Sequence, residues 1–255
     1  MAILELNSLS LRIGATQVCS DLNMRLQENQ RWGLLGKNGA GKTTLLHALI
    51  GLVPVQSGEI LIRGIKLENI PPQELAAGVG ILFQHGISEL PATVMETVLL
   101  GRHPHVQSLL RDDPGDLKIA RDALQDLKLS ELADRQVDTL SGGERQRVAL
   151  AMLIAQTPDL FLMDEPNNHL DLAFQVELLR LLDRKLKQHA STLPMATHDI
   201  NLAARFCEYI ILLMGDGEFV KGPTEAVLTS ENLSKAFDCE IGSIVGQGRT
   251  FFYPQ

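Results

Sequence analysis

The sequence predicts an α/β domain whose sheet carries a phosphate-binding loop, and three observations lead there. Residues Gly36-Lys37-Asn38-Gly39-Ala40-Gly41-Lys42-Thr43-Thr44 match the pattern G-x-x-x-x-G-K-[ST]. Short apolar runs at 79–83 and 159–163 have the makeup of strands buried on both faces. Between and after them lie longer segments with helical periodicity, of which Leu172–His189 is the clearest.

Each position of the loop has a chemical reason. Successive backbone N–H groups must turn inward around phosphate oxygens, and Gly36, Gly39 and Gly41 supply the backbone freedom for that turn. Lys42 is placed to reach the β- and γ-phosphates, Thr43 offers a hydroxyl to Mg²⁺, and a helix opening here turns its positive end toward the anion. Arg31–Leu35 reads as the strand entering the loop and 44–52 as the helix leaving it.

Upstream, Leu9, Leu11 and Ile13 alternate with Ser10 and Arg12, and Leu22, Met24 and Leu26 alternate with Asn23 and Arg25, which predicts two half-buried antiparallel strands. Downstream, 58–64 is a short strand between glycines, and 79–83 is a strand ending at Gln84. The character then changes: 93–102, 117–127 and 130–134 have helical periodicity, with a polar, proline-containing connection over 103–116. Thr93 and Glu96 have capping-box spacing, as do Ser141 and Glu144, which open a helix running to Gln156. The start of that helix, Leu140-Ser141-Gly142-Gly143-Glu144, is a second anion-binding candidate.

The strand at 159–163 delivers Asp164-Glu165 at its carboxyl end, where ligands of open α/β sheets sit. Leu172–His189 is amphipathic, with Val176, Leu179 and Leu186 expected on its inner side. A strand at 192–196 brings Thr197-His198-Asp199 to the same edge, and 209–214 and 218–221 flank Gly215-Asp216-Gly217 as a hairpin. The tail holds two short helical segments and a strand at 249–253.

A chain of 255 residues suits one large α/β domain or a core with a smaller attached lobe, and the formal charge of −8 with a pI near 5.4 argues against nucleic acid as a partner. Cys19, Cys207 and Cys239 are isolated, so reduced and mostly buried thiols are expected rather than a disulfide framework or metal site. The N-terminus, Met1-Ala2-Ile3-Leu4-Glu5, lacks the pattern of a signal peptide, and no apolar run approaches transmembrane length. A cytosolic protein is expected, with any membrane association passing through a partner.

A phosphate loop alone leaves GTPases, kinases, helicases and transport ATPases open. The ordered set of Gln84, Leu140-Ser141-Gly142-Gly143-Glu144, Asp164-Glu165, Asn168-His169-Leu170-Asp171 and His198 resembles the ATP-binding cassette family across nearly the whole chain. The LSGGE string discriminates, because other phosphate-loop families lack it. The resemblance implies a P-loop NTPase core of RecA-like type, with an N-terminal antiparallel β subdomain and an inserted α-helical subdomain. Residues 1–84 and 157–255 would form the β subdomain and core, and about 85–156 the helical insertion, within one domain over 1–255. It also implies a head-to-tail homodimer with each ATP between the phosphate loop of one subunit and the LSGG segment of the other.

The roles implied by the resemblance are as follows. Lys42 neutralises phosphate charge within the loop Gly36, Asn38, Gly39, Gly41, Thr43 and Thr44; Thr43, Gln84 and, through water, Asp164 hold Mg²⁺. Glu165 polarises the attacking water, and His198 contacts the γ-phosphate. Ser141, Gly142 and Gly143 serve the partner's nucleotide, and Asp171 links the two sites. Phosphoryl transfer needs such in-line positioning and charge neutralisation, with little covalent chemistry from the protein. One departure stands out: Ile13 occupies the place where the family has an aromatic residue stacked on adenine, and the loss of stacking weakens that contact by about 1 kcal/mol. Trp32, in the strand feeding the loop, is expected to pack in the core.

Val98-Leu99-Leu100-Gly101-Arg102-His103-Pro104-His105 and His198-Asp199-Ile200-Asn201-Leu202-Ala203-Ala204-Arg205 further resemble the importer branch that serves iron-siderophore, haem and cobalamin uptake. That branch implies integral-membrane permease subunits docking near Gln84–His105, a substrate-binding protein as an indirect partner, and a cytoplasmic position on the inner face of the membrane. His103 and His105 read equally as solvated loop residues. The alternatives are an importer ATPase for molybdate, zinc or manganese, a soluble cassette ATPase such as one for iron–sulfur assembly, and a nucleotide-sensing module. Paired cassettes and long coiled-coil insertions, the marks of translation-acting and DNA-repair relatives, are not seen, and Glu165 and His198 weigh against the sensing module.

Overall fold

The structure is a computed structural model that describes residues 2–84, 87, 91–105, 113–246 and 248–255. It divides into two compact units, Met1–Ile70 with Thr192–Gln255, and Pro71–Ser191.

The first unit opens with β1 (Ala2–Ile13) and β2 (Thr16–Gln27), paired antiparallel. Leu4, Leu6, Leu9 and Leu11 are buried, but register shifts along β1 break the simple alternation, and Ile13 at the end of the strand is 50% exposed rather than turned inward. Next come β3 (Arg31–Leu35), α1 (Lys42–Ala48), β4 (Ser57–Ile62) and a two-residue β5 (Ile65–Lys66). Helix α1 stops at Ala48, short of the expected 52, because the chain turns through Gly51 in the left-handed region.

The second unit begins with α2 (Pro72–Gly78), which the sequence reading missed: none of its residues is buried, so it carries no apolar periodicity. Then follow β6 (Val79–Leu82), α3 (Val94–Leu100), α4 (Pro114–Asp126), α5 (Gly142–Gln156), β7 (Leu160–Asp164) and α6 (Leu172–His189). The expected helix at 130–134 is one 3₁₀ turn, Ser130–Leu132. Strands β6 and β7 pair in parallel, with Val79 opposite Leu160 and Leu82 opposite Met163. The inner face of α6 is Phe174, Leu178, Leu181, Leu182 and Leu186; Val176 and Leu179 only flank it, since the stripe is one helical position away from the one expected.

The chain returns to the first unit with β8 (Leu193–Ala196), α7 (Ile200–Phe206), β9 (Tyr209–Gly215), β10 (Glu218–Pro223), α8 (Thr224–Val227), α9 (Ser230–Phe237), β11 (Ile241–Gly246) and β12 (Arg249–Pro254). Here β3 lies between β8 and β9, parallel to both, and β10 closes on β9 as an antiparallel neighbour. The β9–β10 turn puts both Asp216 (φ 51°) and Gly217 (φ 83°) at positive φ, the geometry a two-residue hairpin favours. A second sheet has the order β2-β1-β4-β5, and β11 with β12 forms a separate hairpin. Leu4, Leu6 and Leu26 of that second sheet share an apolar interior with Leu34 of β3 and Leu45 and Leu46 of α1. Trp32 is in the core as expected, 7% exposed and stacked on Tyr209 with ring centroids 4.8 Å apart.

Candidate active site

In the first unit the phosphate loop joins β3 to α1. A Cβ on Gly41 (φ 97°) would come within 2.5 Å of Val18 Cγ2, so glycine there satisfies both the backbone angle and the close approach to β2. Lys42 is 7% exposed, and its Nζ donates to the carbonyl oxygens of Gly36 at 2.9 Å and Lys37 at 3.2 Å. The loop therefore holds its own ammonium inside its curve. Asn38 is exposed, and Thr43 and Thr44 are half-buried at the start of the helix.

His198 leaves the carboxyl end of β8, the strand beside β3. Leu34 pairs with Ala196, and the Thr197 N–H donates to the Leu34 carbonyl at 3.2 Å, so the loop and His198 emerge from neighbouring parallel strands at the same end. The flanking residues fix the backbone: Thr197 Oγ1 accepts from the Asp199 N–H at 3.1 Å, and Asp199 Oδ1 accepts from the Leu202 N–H at 2.9 Å, capping α7. His198 itself is exposed.

In the second unit β6 and β7 play the corresponding part. Gln84 is exposed just past β6, Asp164 ends β7 at 1% exposure, and Glu165 follows it at 7% exposure. Glu165 has φ 50°, a left-handed backbone that costs of the order of 1 kcal/mol for a residue with a side chain. Its carboxylate is held by a residue whose part the sequence reading did not identify. Asn168 Nδ2 donates to Glu165 Oε2 at 2.7 Å, and the Asn168 N–H donates to the Glu165 carbonyl at 3.1 Å.

The segment after Glu165 packs on the start of α5. Gln146, 4% exposed, donates from Nε2 to the Pro166 carbonyl at 3.3 Å, and a Cβ on Gly143 would come within 2.8 Å of the His169 carbonyl oxygen. Glycine at 143 is thus what lets the start of α5 pack this closely on the His169 carbonyl. Asp171 caps α6, accepting from the Phe174 N–H at 2.8 Å. Both expected capping boxes form. Ser141 Oγ donates to Glu144 Oε2 at 2.7 Å and accepts from the Glu144 N–H at 3.3 Å, while the Ser141 N–H donates to Glu144 Oε2 at 2.8 Å. The Ser141 hydroxyl and backbone N–H hold the Glu144 carboxyl below its ordinary range.

The Gly101-to-His105 string acts on the other end of α5. Arg102, 8% exposed, pairs with Asp116 at 2.7 Å and donates to the Ala155 carbonyl at 2.7 Å and Thr157 Oγ1 at 3.1 Å; His105 Nε2 lies 2.8 Å from the Gln156 carbonyl. Arg102 carries the stronger role, and it was legible only as part of the string. His105 is half-buried, whereas His103 is exposed. The remainder of the expected docking stretch, residues 85, 86 and 88–90, lies outside the described residues.

Among the described residues no helix is long and apolar enough to cross a membrane, and no cluster of three or more His, Cys, Asp or Glu side chains could bind a metal unaided. The expected Mg²⁺ ligands Thr43, Gln84 and Asp164 offer a hydroxyl, an amide oxygen and a carboxylate, hard donors of the type Mg²⁺ takes alongside nucleotide phosphates. Burial pushes the Cys19 thiol up to about 11 and that of Cys207 to about 12, while Cys239 is exposed.

Comparison with known proteins gives three kinds of match. The family model described as "ABC transporter" matches residues 19–168. An iron(3+)-hydroxamate import ATP-binding protein of Bacillus subtilis is 35% identical over 250 residues, 98% of this chain and 93% of the relative. Among solved structures, an inward-facing conformation of a metal-chelate type ABC transporter superposes with a TM-score of 0.85 at 30% identity, covering 100% of this chain and 98% of the other. A dimeric ATP-binding cassette bound to ADP and phosphate in a post-hydrolysis state gives 0.76 at 28% identity, over 87% of this chain and 98% of the other.

Proposed function

Because the chain belongs to the ABC transporter family of ATPases, we propose that it is the ATP-hydrolysing subunit of an importer that carries an iron chelate of siderophore type through a separate membrane permease. The observation that carries the cargo reading is the near full-length likeness to the iron(3+)-hydroxamate import subunit.

The side chains divide the chemistry as follows. Lys42, held in the loop by two carbonyls, exchanges them for phosphate oxygens and neutralises charge that grows on the γ-phosphate as the bond breaks. Thr43, Gln84 and, through water, Asp164 would hold Mg²⁺, and when bound the ion would supply further charge neutralisation. Glu165, oriented by Asn168, polarises the attacking water. His198 contacts the γ-phosphate and positions that water. Ser141, Gly142 and Gly143 face the nucleotide of a second copy, and Asp171 meets that copy. Hydrolysis therefore requires a head-to-tail homodimer. Ile13, exposed at the tip of the β1–β2 hairpin, gives adenine an apolar contact without stacking.

ATP binding closes the dimer and moves the permease, which docks near Gln84–His105; hydrolysis and product release reset it. The substrate-binding protein acts only through the permease. Affinity purification of the chain from detergent-solubilised membranes, with and without ATP, tests the reading. Recovery of a multi-spanning permease whose reconstituted complex takes up a ferric hydroxamate supports it. Recovery of only soluble assembly factors or ribosomes sinks the importer reading and leaves the ATPase chemistry standing.

A further inference from the structure

The phosphate loop is tied to the last helix of the first unit by one ion pair. Lys37 Nζ donates to Asp238 Oδ2 at 2.5 Å. The Lys37 carbonyl in turn accepts from Lys42 Nζ at 3.2 Å and from the Ala40 N–H at 3.1 Å. A continuous path thus runs from Asp238 through Lys37 to the ammonium that meets phosphate.

Asp238 stands on a fixed turn. It caps the C-terminus of α9, with its N–H donating to the Ser234 carbonyl; the Cys239 N–H reaches the same carbonyl at 3.3 Å, and the Ile241 N–H donates to Ser234 Oγ at 2.8 Å. Its φ of 52° is the left-handed conformation in which helices usually end on glycine. Aspartate is among the residue types that tolerate this region, and from this turn its carboxylate reaches a residue of the loop.

We propose that Asp238 is a positioning residue for nucleotide binding, acting through Lys37 to hold the phosphate loop in its binding-competent curve. The inference rests on the phosphate-loop assignment and adds the segment after α9 to the machinery. Two acidic groups face Lys37, Asp238 beside the end of α9 and Asp216 from the β9–β10 turn, and together they hold its ammonium above the ordinary lysine range, Asp238 contributing more. The pair is solvent-accessible, with side chains 48% and 68% exposed, so its influence is limited and salt-sensitive.

The test is a double-mutant cycle on full-length protein, reading the Kd for MgATP by calorimetry alongside kcat and the thermal midpoint. Asp238→Asn is expected to raise Kd about threefold to fivefold at low salt, the upper range for an exposed ion pair, with kcat and the midpoint held and the difference shrinking as salt is added. In a Lys37→Met background Asp238→Asn is expected to change nothing further. An unchanged Kd overturns the proposal. So does a lower Kd, which would make Asp238 a counter-charge that weakens phosphate binding, and so does an effect that persists without Lys37. Lys42→Ala serves as the control: if it binds MgATP like wild type, the phosphate-loop assignment itself has failed.

Discussion

Asn168 holds Glu165 at both ends, its side-chain amide on the carboxylate at 2.7 Å and its backbone N–H on the carbonyl at 3.1 Å. In the proposed mechanism this carboxylate aims at one water and so cannot keep its rotamer freedom, and the left-handed backbone of Glu165 is stabilised by the same partner. Asn168→Ala should lower kcat by roughly tenfold while leaving KM for ATP within about twofold, the pattern of an interaction that matters in the transition state. A shift in KM alone would place Asn168 in ATP binding instead.

Arg102 joins the end of α3 to the start of α4 and the end of α5 through Asp116, Ala155 and Thr157. Arg102→Met keeps the apolar stem but leaves a part-buried carboxylate and a buried carbonyl without their donor, which should cost about 3 kcal/mol. Arg102→Lys should recover little, because one ammonium cannot reproduce the fork of the guanidinium. Urea denaturation measures both variants, and a midpoint equal to wild type for Arg102→Met would contradict the clamp.

The capping box at Ser141 makes a pH prediction. The folded Glu144 carboxyl lies below its ordinary value of 4.5, so its ionised form is favoured by folding. The stabilisation is complete above that ordinary value and disappears as pH falls through the lower folded one. The stability difference between wild type and Glu144→Gln should be largest near neutrality and vanish in acid. A difference that grows toward acid would reverse the assigned sign.

Ile13→Tyr should tighten binding of ATP and of GTP alike by about fivefold, since an offset-stacked ring contributes of the order of 1 kcal/mol beyond area and both purines offer a π-face. Titration with each nucleotide measures the change in Kd. Unchanged affinities would mean that Ile13 does not lie under the base.

Much of this was legible in the sequence where a local rule governs. Strand β3, helix α6 and both capping boxes have the expected limits, because periodicity and cap residues act within one turn or strand. Helix α2 and strand β5 were not legible, since neither carries a buried residue. The inner face of α6 and the outward turn of Ile13 depend on what each element packs against and on register shifts that composition does not encode. Among site residues, motif spacing indicated Lys42, Glu165 and Ser141. It gave no role to Asn168, Arg102 or Asp238, whose significance lies in partners that only the folded chain brings within hydrogen-bonding distance.

Glu165→Gln, followed by light scattering and phosphate release in MgATP, tests the central claim that a carboxylate at position 165 drives hydrolysis between two head-to-tail copies. The account predicts ATP retained, turnover reduced to a trace and the mass of a dimer that persists while ATP is bound. Turnover near wild type, or a variant that binds ATP and stays monomeric at every concentration, would contradict it.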